Sequence, residues 1–198
     1  MSFFAKIFGK PAEDSNRLTP FEVGIVLAES LIEGHAPNEV STAEAEFLES
    51  AHVSHEAYVE ERFLFNASAT AFAIDSILPA GEIQSQVASG FKSWFADNAA
   101  RSPQGAKVTS AYAKRMPSYV DAARKDGAKE ANEIGGLSLN EVDFVFGDSL
   151  LERATPDLAS DPSTEASCRL LAMALGQAYW LARLEGSMAL FRKSKLVG

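Results

Sequence analysis

The chain has 198 residues, of which 46% are hydrophobic and 23% are charged, and its formal net charge is −9. This length suggests one domain with a large core, and the balance of apolar and charged residues excludes wholesale disorder and a collagen-like sequence. The single cysteine, Cys168, excludes a disulfide scaffold and fits a reducing compartment, so we expect a cytoplasmic protein.

The negative charge is concentrated in one part of the chain. Residues 11–66 hold two basic and 12 acidic residues, whereas residues 67–135 are nearly neutral. A nucleic-acid partner is disfavoured, because binding the phosphate backbone needs a concentrated basic face and the sequence shows no obvious one. The acidic part either packs as a solvated helix face beside the more basic residues 101–129 or forms a docking surface for a basic partner.

The first ten residues place four large apolar side chains at helical spacing. These candidate partner-binding residues are Phe3, Phe4, Ile7 and Phe8. With two lysines beside them, they suit docking into a groove of this chain or a second copy, contact with a protein partner, or an interfacial helix on an anionic membrane. We favour packing on protein over lipid, because the acidic body would be repelled by such a membrane. Residues 1–18 are therefore predicted to be an apolar strap and linker, and residues 19–198 a single helical domain.

Capping signals predict helices through the rest of the chain. A capping box at 19–22, with proline at the first helical position, begins a helix that Gly34 ends. A second capping box at 41–44 begins either one helix that runs almost to Pro79 or two helices in tandem.

The middle of the chain continues the same pattern. Residues 81–100 form a predicted helix whose buried side chains are Ile83, Val87, Phe91, Trp94 and Phe95. Another helix starts at Pro103, is kinked or divided at Pro117 and ends at Gly127. Residues 127–137 read as a loop, and a third capping box, from Ser138 to Glu141, begins the next helix.

The last predicted helix opens at Asp161 and continues to Arg192. It is apolar nearly all round, with a narrow stripe of polar or small residues, and such a helix packs on several neighbours. No convincing strand alternation occurs. We therefore expect an all-α, single-domain bundle of six to eight helices with a long C-terminal helix at its centre.

Residues 49–61 form the densest polar cluster. In one continuous helix Glu49, His52 and Glu56 border each other, which is the arrangement that metal ligands need. His55 falls within the apolar arc of that helix, and no second helix carries a matching ligand pair. We interpret the cluster as a structural histidine beside a solvated acidic edge, with a metal site as the alternative, and we predict no cofactor.

No motif in the sequence indicates catalysis. Phosphate-binding, dinucleotide-binding, zinc-protease and hydrolase signatures do not occur. Cys168 lies in an apolar row beyond the first turn of its helix, which is typical of a core residue. We expect a non-enzymatic soluble protein that acts as an interaction or regulatory module. The alternatives are a bundle that binds a metal or small ligand in its core and an enzyme whose site is assembled from distant residues.

Overall fold

The fold is known from a computed structural model. It describes residues 18–33, 41–126, 132–134, 137–154 and 162–197. The helices in these residues are α1 (Pro20–Glu33), α2 (Thr42–Ala51), α3 (His55–Ile77), α4 (Glu82–Arg101), α5 (Pro103–Asp126), α6 (Glu141–Leu151) and α7 (Pro162–Lys193). A short hairpin pairs β1 (Asn132–Ile134) antiparallel with β2 (Leu137–Leu139). Seven helices in the described residues confirm the predicted all-α bundle.

None of the helices within the described ranges is long and apolar enough to span a membrane.

Two predicted capping boxes start helices where the sequence placed them. At the start of α1, Thr19 N–H donates to Glu22 Oε2 over 2.8 Å, and Glu22 N–H donates to Thr19 Oγ1 over 3.3 Å. At the start of α2, Ser41 N–H donates to Glu44 Oε2 over 2.6 Å, and Glu44 N–H donates to Ser41 Oγ over 3.3 Å. These bonds satisfy backbone donors that have no partner within the helix, so they define where each helix begins.

The segment after Ser41 folds as two helices, which resolves the alternatives that the sequence left open. His52 caps the end of α2 in the left-handed region, with a φ of 51°. Ser54 then caps α3, since its side chain accepts a hydrogen bond from Ala57 N–H over 3.2 Å. A left-handed residue does not continue a right-handed helix, so the chain turns between α2 and α3.

The start of α6 differs from the prediction. Ser138, predicted to cap this helix, lies in β2 opposite Glu133 of β1. The hairpin also includes part of the predicted loop 127–137, since β1 and the first residue of β2 lie within that range. The cap is Asn140 instead, and its N–H donates to Asp143 Oδ2 over 2.8 Å. The sequence pattern was wrong here because the hairpin places Ser138 in a strand, which moves the helix start two residues onward.

For the middle helices, one of the two alternatives at Pro117 is excluded and one expectation changes. Pro117 lies inside α5 without dividing it, because the helix continues from Pro103 to Asp126. Ile83, predicted to be buried, is 44% exposed in the first turn of α4. Val87, Phe91 and Phe95 are buried as predicted, and they face the core from the following turns.

Two apolar clusters share α3. One joins α2, α3, α5, α6 and α7 around Phe65 and Trp180, whose ring centroids lie 5.2 Å apart. The other joins α1, α3, α4, α5 and α7 around Leu64 and Phe91. Helices α3, α5 and α7 therefore each contribute buried side chains to both clusters.

The long C-terminal helix is present as predicted, with 32 residues that contact α1, α2, α3 and α6. Its apolar surface is not enclosed on every side, since Ala178, Leu181 and Ala182 are exposed. Three small residues of its polar stripe face inward instead, since Ala172, Gly176 and Ser187 are buried. A Cβ added to Gly176 would lie 2.7 Å from Phe146 Cδ1. The absence of a side chain there lets α6 approach closely, which turns the opposite side of α7 outward.

Candidate functional site

The strongest candidate site is an open pocket of about 520 Å³ between α3, α5 and the turn after α6. We call it the basic pocket. Its lining residues are Leu64, Lys107, Ser110, Ala111, Lys114, Arg115, Ser118 and Arg153. Half of these residues are cations, although the chain as a whole carries a net charge of −9.

One face of α5 builds most of the pocket. Its lining residues from Lys107 to Ser118 follow each other at alternating intervals of three positions and one, which places them along one side of a helix. At 1.5 Å per residue, this row is about 16 Å long. Arg153 faces it from the turn that follows α6, where its backbone N–H donates to Leu150 O over 3.0 Å.

A buried carboxylate holds two of the cations in place. Glu61 of α3 is 0% exposed, and its Oε1 accepts a hydrogen bond from Tyr119 OH over 2.5 Å. Arg153 Nη2 lies 2.7 Å from Glu61 Oε2, and Arg115 Nε lies 3.6 Å from Glu61 Oε1. A buried charge is costly unless it is paired, so this carboxylate fixes both guanidinium groups beside the pocket.

The surroundings of Tyr119 and Arg115 keep both groups protonated near neutral pH. Burial, followed by the charge of Glu61, raises the pKa of Tyr119 well above its ordinary value, so the phenol stays protonated and donates. Burial alone would lower the pKa of Arg115, but the neighbouring Glu61, Tyr119 and Glu152 raise it overall. The guanidinium charge is therefore permanent.

The remaining ion pairs around the pocket are loose. Glu60 lies 3.9 Å from Lys107 Nζ and 3.8 Å from Arg153 Nη2. Glu152, whose side chain is 66% exposed, lies 3.3 Å from Arg115 Nη2. The side chains of Lys107 and Glu152 are largely exposed, and exposed pairs contribute only about 0–1 kcal/mol, so a ligand can replace the pairs that these two residues make.

Lys114 makes no ion pair within the described part of the chain. The four cations of the pocket thus face three carboxylates, those of Glu60, Glu61 and Glu152. One positive charge is left over. Ammonium, guanidinium and hydroxyl groups are hydrogen-bond donors, so this arrangement can bind a carboxylate or a phosphate.

A second buried ionic network has a structural role. Glu44 Oε1 lies 2.5 Å from Arg62 Nη1 and accepts hydrogen bonds from Tyr58 OH over 2.7 Å and from Tyr179 OH. Burial acts to raise the pKa of Glu44, but the bonds from Tyr179, Ser41 and Tyr58 lower it to about 2. This network ties the start of α2 to α3 and α7, and it leaves the buried Nε of Arg62 without a hydrogen bond in the described structure.

The polar cluster considered as a metal site is spread over two helices. Glu49, His52 and Glu56 are all exposed, and the break after Ala51 removes the continuous helix on which their shared face depended. His55, expected within an apolar arc, is exposed at the first position of α3 for the same reason. Over the ranges that the structure describes, no group of three or more His, Cys, Asp or Glu residues is placed to hold a metal ion.

The other predicted features are a core cysteine and an N-terminal partner-binding face. Cys168 is buried among apolar residues, and this burial raises the pKa of its thiol. The candidate partner-binding side chains lie outside the described residues, so their role stays a prediction. They are Phe3, Phe4, Ile7 and Phe8.

Sequence reasoning did not single out the basic pocket. The helical spacing of Lys107, Lys114 and Arg115 was a usable signal, because it places three cations on one side of a single helix. Arg153 and the buried Glu61 are far from them in the sequence and come together only in the folded chain.

Comparison of the chain with protein-family models, with curated proteins and with solved structures found no match.

Proposed function

We propose that the protein is a non-enzymatic interaction module whose basic pocket binds an acidic segment of a partner protein. The observation that carries this proposal is the convergence of Lys107, Lys114, Arg115 and Arg153 on one open pocket of an otherwise acidic chain. Clusters of lysine and arginine are a recurring means of recognising acidic segments. A cytoplasmic location, suggested by the lone buried thiol of Cys168, belongs to the same proposal.

The shape of the pocket suits a segment of chain. The row of lining residues on α5 is about 16 Å long, which matches about five residues of an extended peptide at about 3.3 Å each. Leu64 and Ala111 supply only a small apolar contribution. Binding should therefore depend mainly on charge and should weaken as salt screens the exposed cations.

A labelled hexaglutamate peptide tests this proposal by fluorescence anisotropy. We expect Lys114→Ala to weaken binding by about fivefold, since a charge pair near 4 Å in water contributes about 1 kcal/mol. Lys92→Ala is the matched control, because Lys92 is an exposed lysine of α4 that does not line the pocket. Equal affinities for Lys114→Ala and the unaltered protein would contradict the proposal.

A further inference from the structure

We infer that the acidic group received by the basic pocket is a phosphate monoester on the partner segment, a phosphoserine or phosphothreonine, in preference to a carboxylate. This inference rests on the proposed function and specifies its ligand. It follows from the number of donors at the pocket, from their placement on two walls and from the charge left over there.

The hydrogen-bond donors around Lys114 outnumber the two oxygens of one carboxylate. Ser110 and Ser118 lie one helical turn before and after it on α5, and both line the pocket. Arg153 adds a guanidinium from the other wall. A phosphate monoester presents three strong acceptor oxygens, whereas a carboxylate presents two in one plane.

The charge balance favours the same ligand. Four cations and three carboxylates leave one unit of positive charge at the pocket. Coulomb attraction grows with the charge of the ligand, and a phosphate monoester carries about −1.5 to −2 at pH 7 against −1 for a carboxylate. The attraction is therefore up to about twice as large for the phosphate.

Three labelled peptides of one acidic sequence, with phosphoserine, glutamate or serine at the central position, test the inference. By fluorescence anisotropy at pH 7 we expect the phosphopeptide to bind at least about fivefold more tightly than the glutamate peptide. The preference should shrink at pH 5, because a phosphate monoester gains a proton near pH 6. The glutamate peptide controls for any titration of the groups that face the ligand, which affects both peptides alike. Those groups are Glu60, Glu61, Glu152, Tyr119, Lys107, Lys114, Arg115 and Arg153.

Serine variants locate the preference. Joint replacement Ser110→Ala and Ser118→Ala should reduce the ratio of phosphopeptide to glutamate-peptide affinity, while Ser85→Ala, at an exposed serine of α4, should leave it unchanged. If the joint variant leaves this affinity ratio unchanged, the Ser110 and Ser118 hydroxyls do not contribute to the preference for phosphate.

The outcomes separate this inference from the proposed function. Equal binding of the phosphopeptide and the glutamate peptide would overturn the inference and leave the proposed function standing. If neither acidic peptide binds, both fall. Inorganic phosphate alone, added as a competitor, should displace the phosphopeptide only at far higher concentration than the unlabelled phosphopeptide does. Equal competition would show that the ligand is a free phosphate and would overturn the assignment to a protein segment.

Discussion

The Glu44→Gln substitution removes one buried charge while it preserves the shape of the side chain. Glu44 is 4% exposed and pairs with Arg62, whose Nη1 lies 2.5 Å from Oε1. Glutamine is also accepted at the third position of a capping box, so the start of α2 at Ser41 should persist. The substitution therefore tests the ionic network that joins α2, α3 and α7.

The pKa of Glu44 gives the magnitude. Its folded-state pKa is about 2, compared with an ordinary value of 4.5. A depressed pKa means that the ionised carboxylate stabilises the folded state above about pH 4.5, and that this contribution is lost as the pH falls through about 2. Each unit is worth about 1.4 kcal/mol, so the carboxylate contributes about 3 kcal/mol at neutral pH.

Urea unfolding followed by circular dichroism measures this contribution. At pH 7 we expect Glu44→Gln to lower the free energy of unfolding by about 3 kcal/mol, and we expect this deficit to shrink between pH 4.5 and pH 2. The matched control is Glu46→Gln, an exposed glutamate of the same helix, which should change stability by less than about 0.5 kcal/mol. A deficit for Glu44→Gln below about 1 kcal/mol, or one independent of pH, would refute the reasoning.

Two further expectations concern packing and are measured by the same urea unfolding. Trp180→Ala should cost about 3–5 kcal/mol, because the ring is 6% exposed and packs against Phe65 and Phe72; a loss under about 1 kcal/mol would place that face at the surface. Gly90→Ala should cost at least about 2 kcal/mol, because the added Cβ would lie 1.9 Å from Phe21 O where α1 crosses α4. Gly186→Ala meets open space and should be neutral or stabilising by up to about 1 kcal/mol; equal effects of the two glycine variants would contradict the close approach.

Much of the fold could be predicted because its signals are local. The capping boxes at Thr19 and Ser41 act within a single turn of helix, so sequence spacing alone locates them. Ser138 shows the limit of such signals. It carries the same spacing to Glu141, yet pairing with Glu133 in the hairpin takes it into a strand.

The remaining differences have tertiary causes. The apolar pattern of α7 does not show which side of the helix is covered by a neighbouring helix. The close packing of Phe146 against Gly176 determines that side. The break at His52 depends on one residue in the left-handed conformation, whereas a helical wheel assumes right-handed helical geometry at every position. The basic pocket needs Glu61 to hold Arg115 and Arg153 together, and that convergence has no counterpart in sequence spacing.

Mapping by two-dimensional NMR tests the role of the basic pocket most directly. An unlabelled acidic peptide is titrated into nitrogen-15-labelled protein, and the changes in backbone amide shift are located along the chain. We expect the largest changes at residues 107–118 and at Arg153, with the exposed turns of α4 unaffected. Changes centred on α4 or on the exposed side of α7, or no changes at all, would contradict the assignment of the pocket as the binding site.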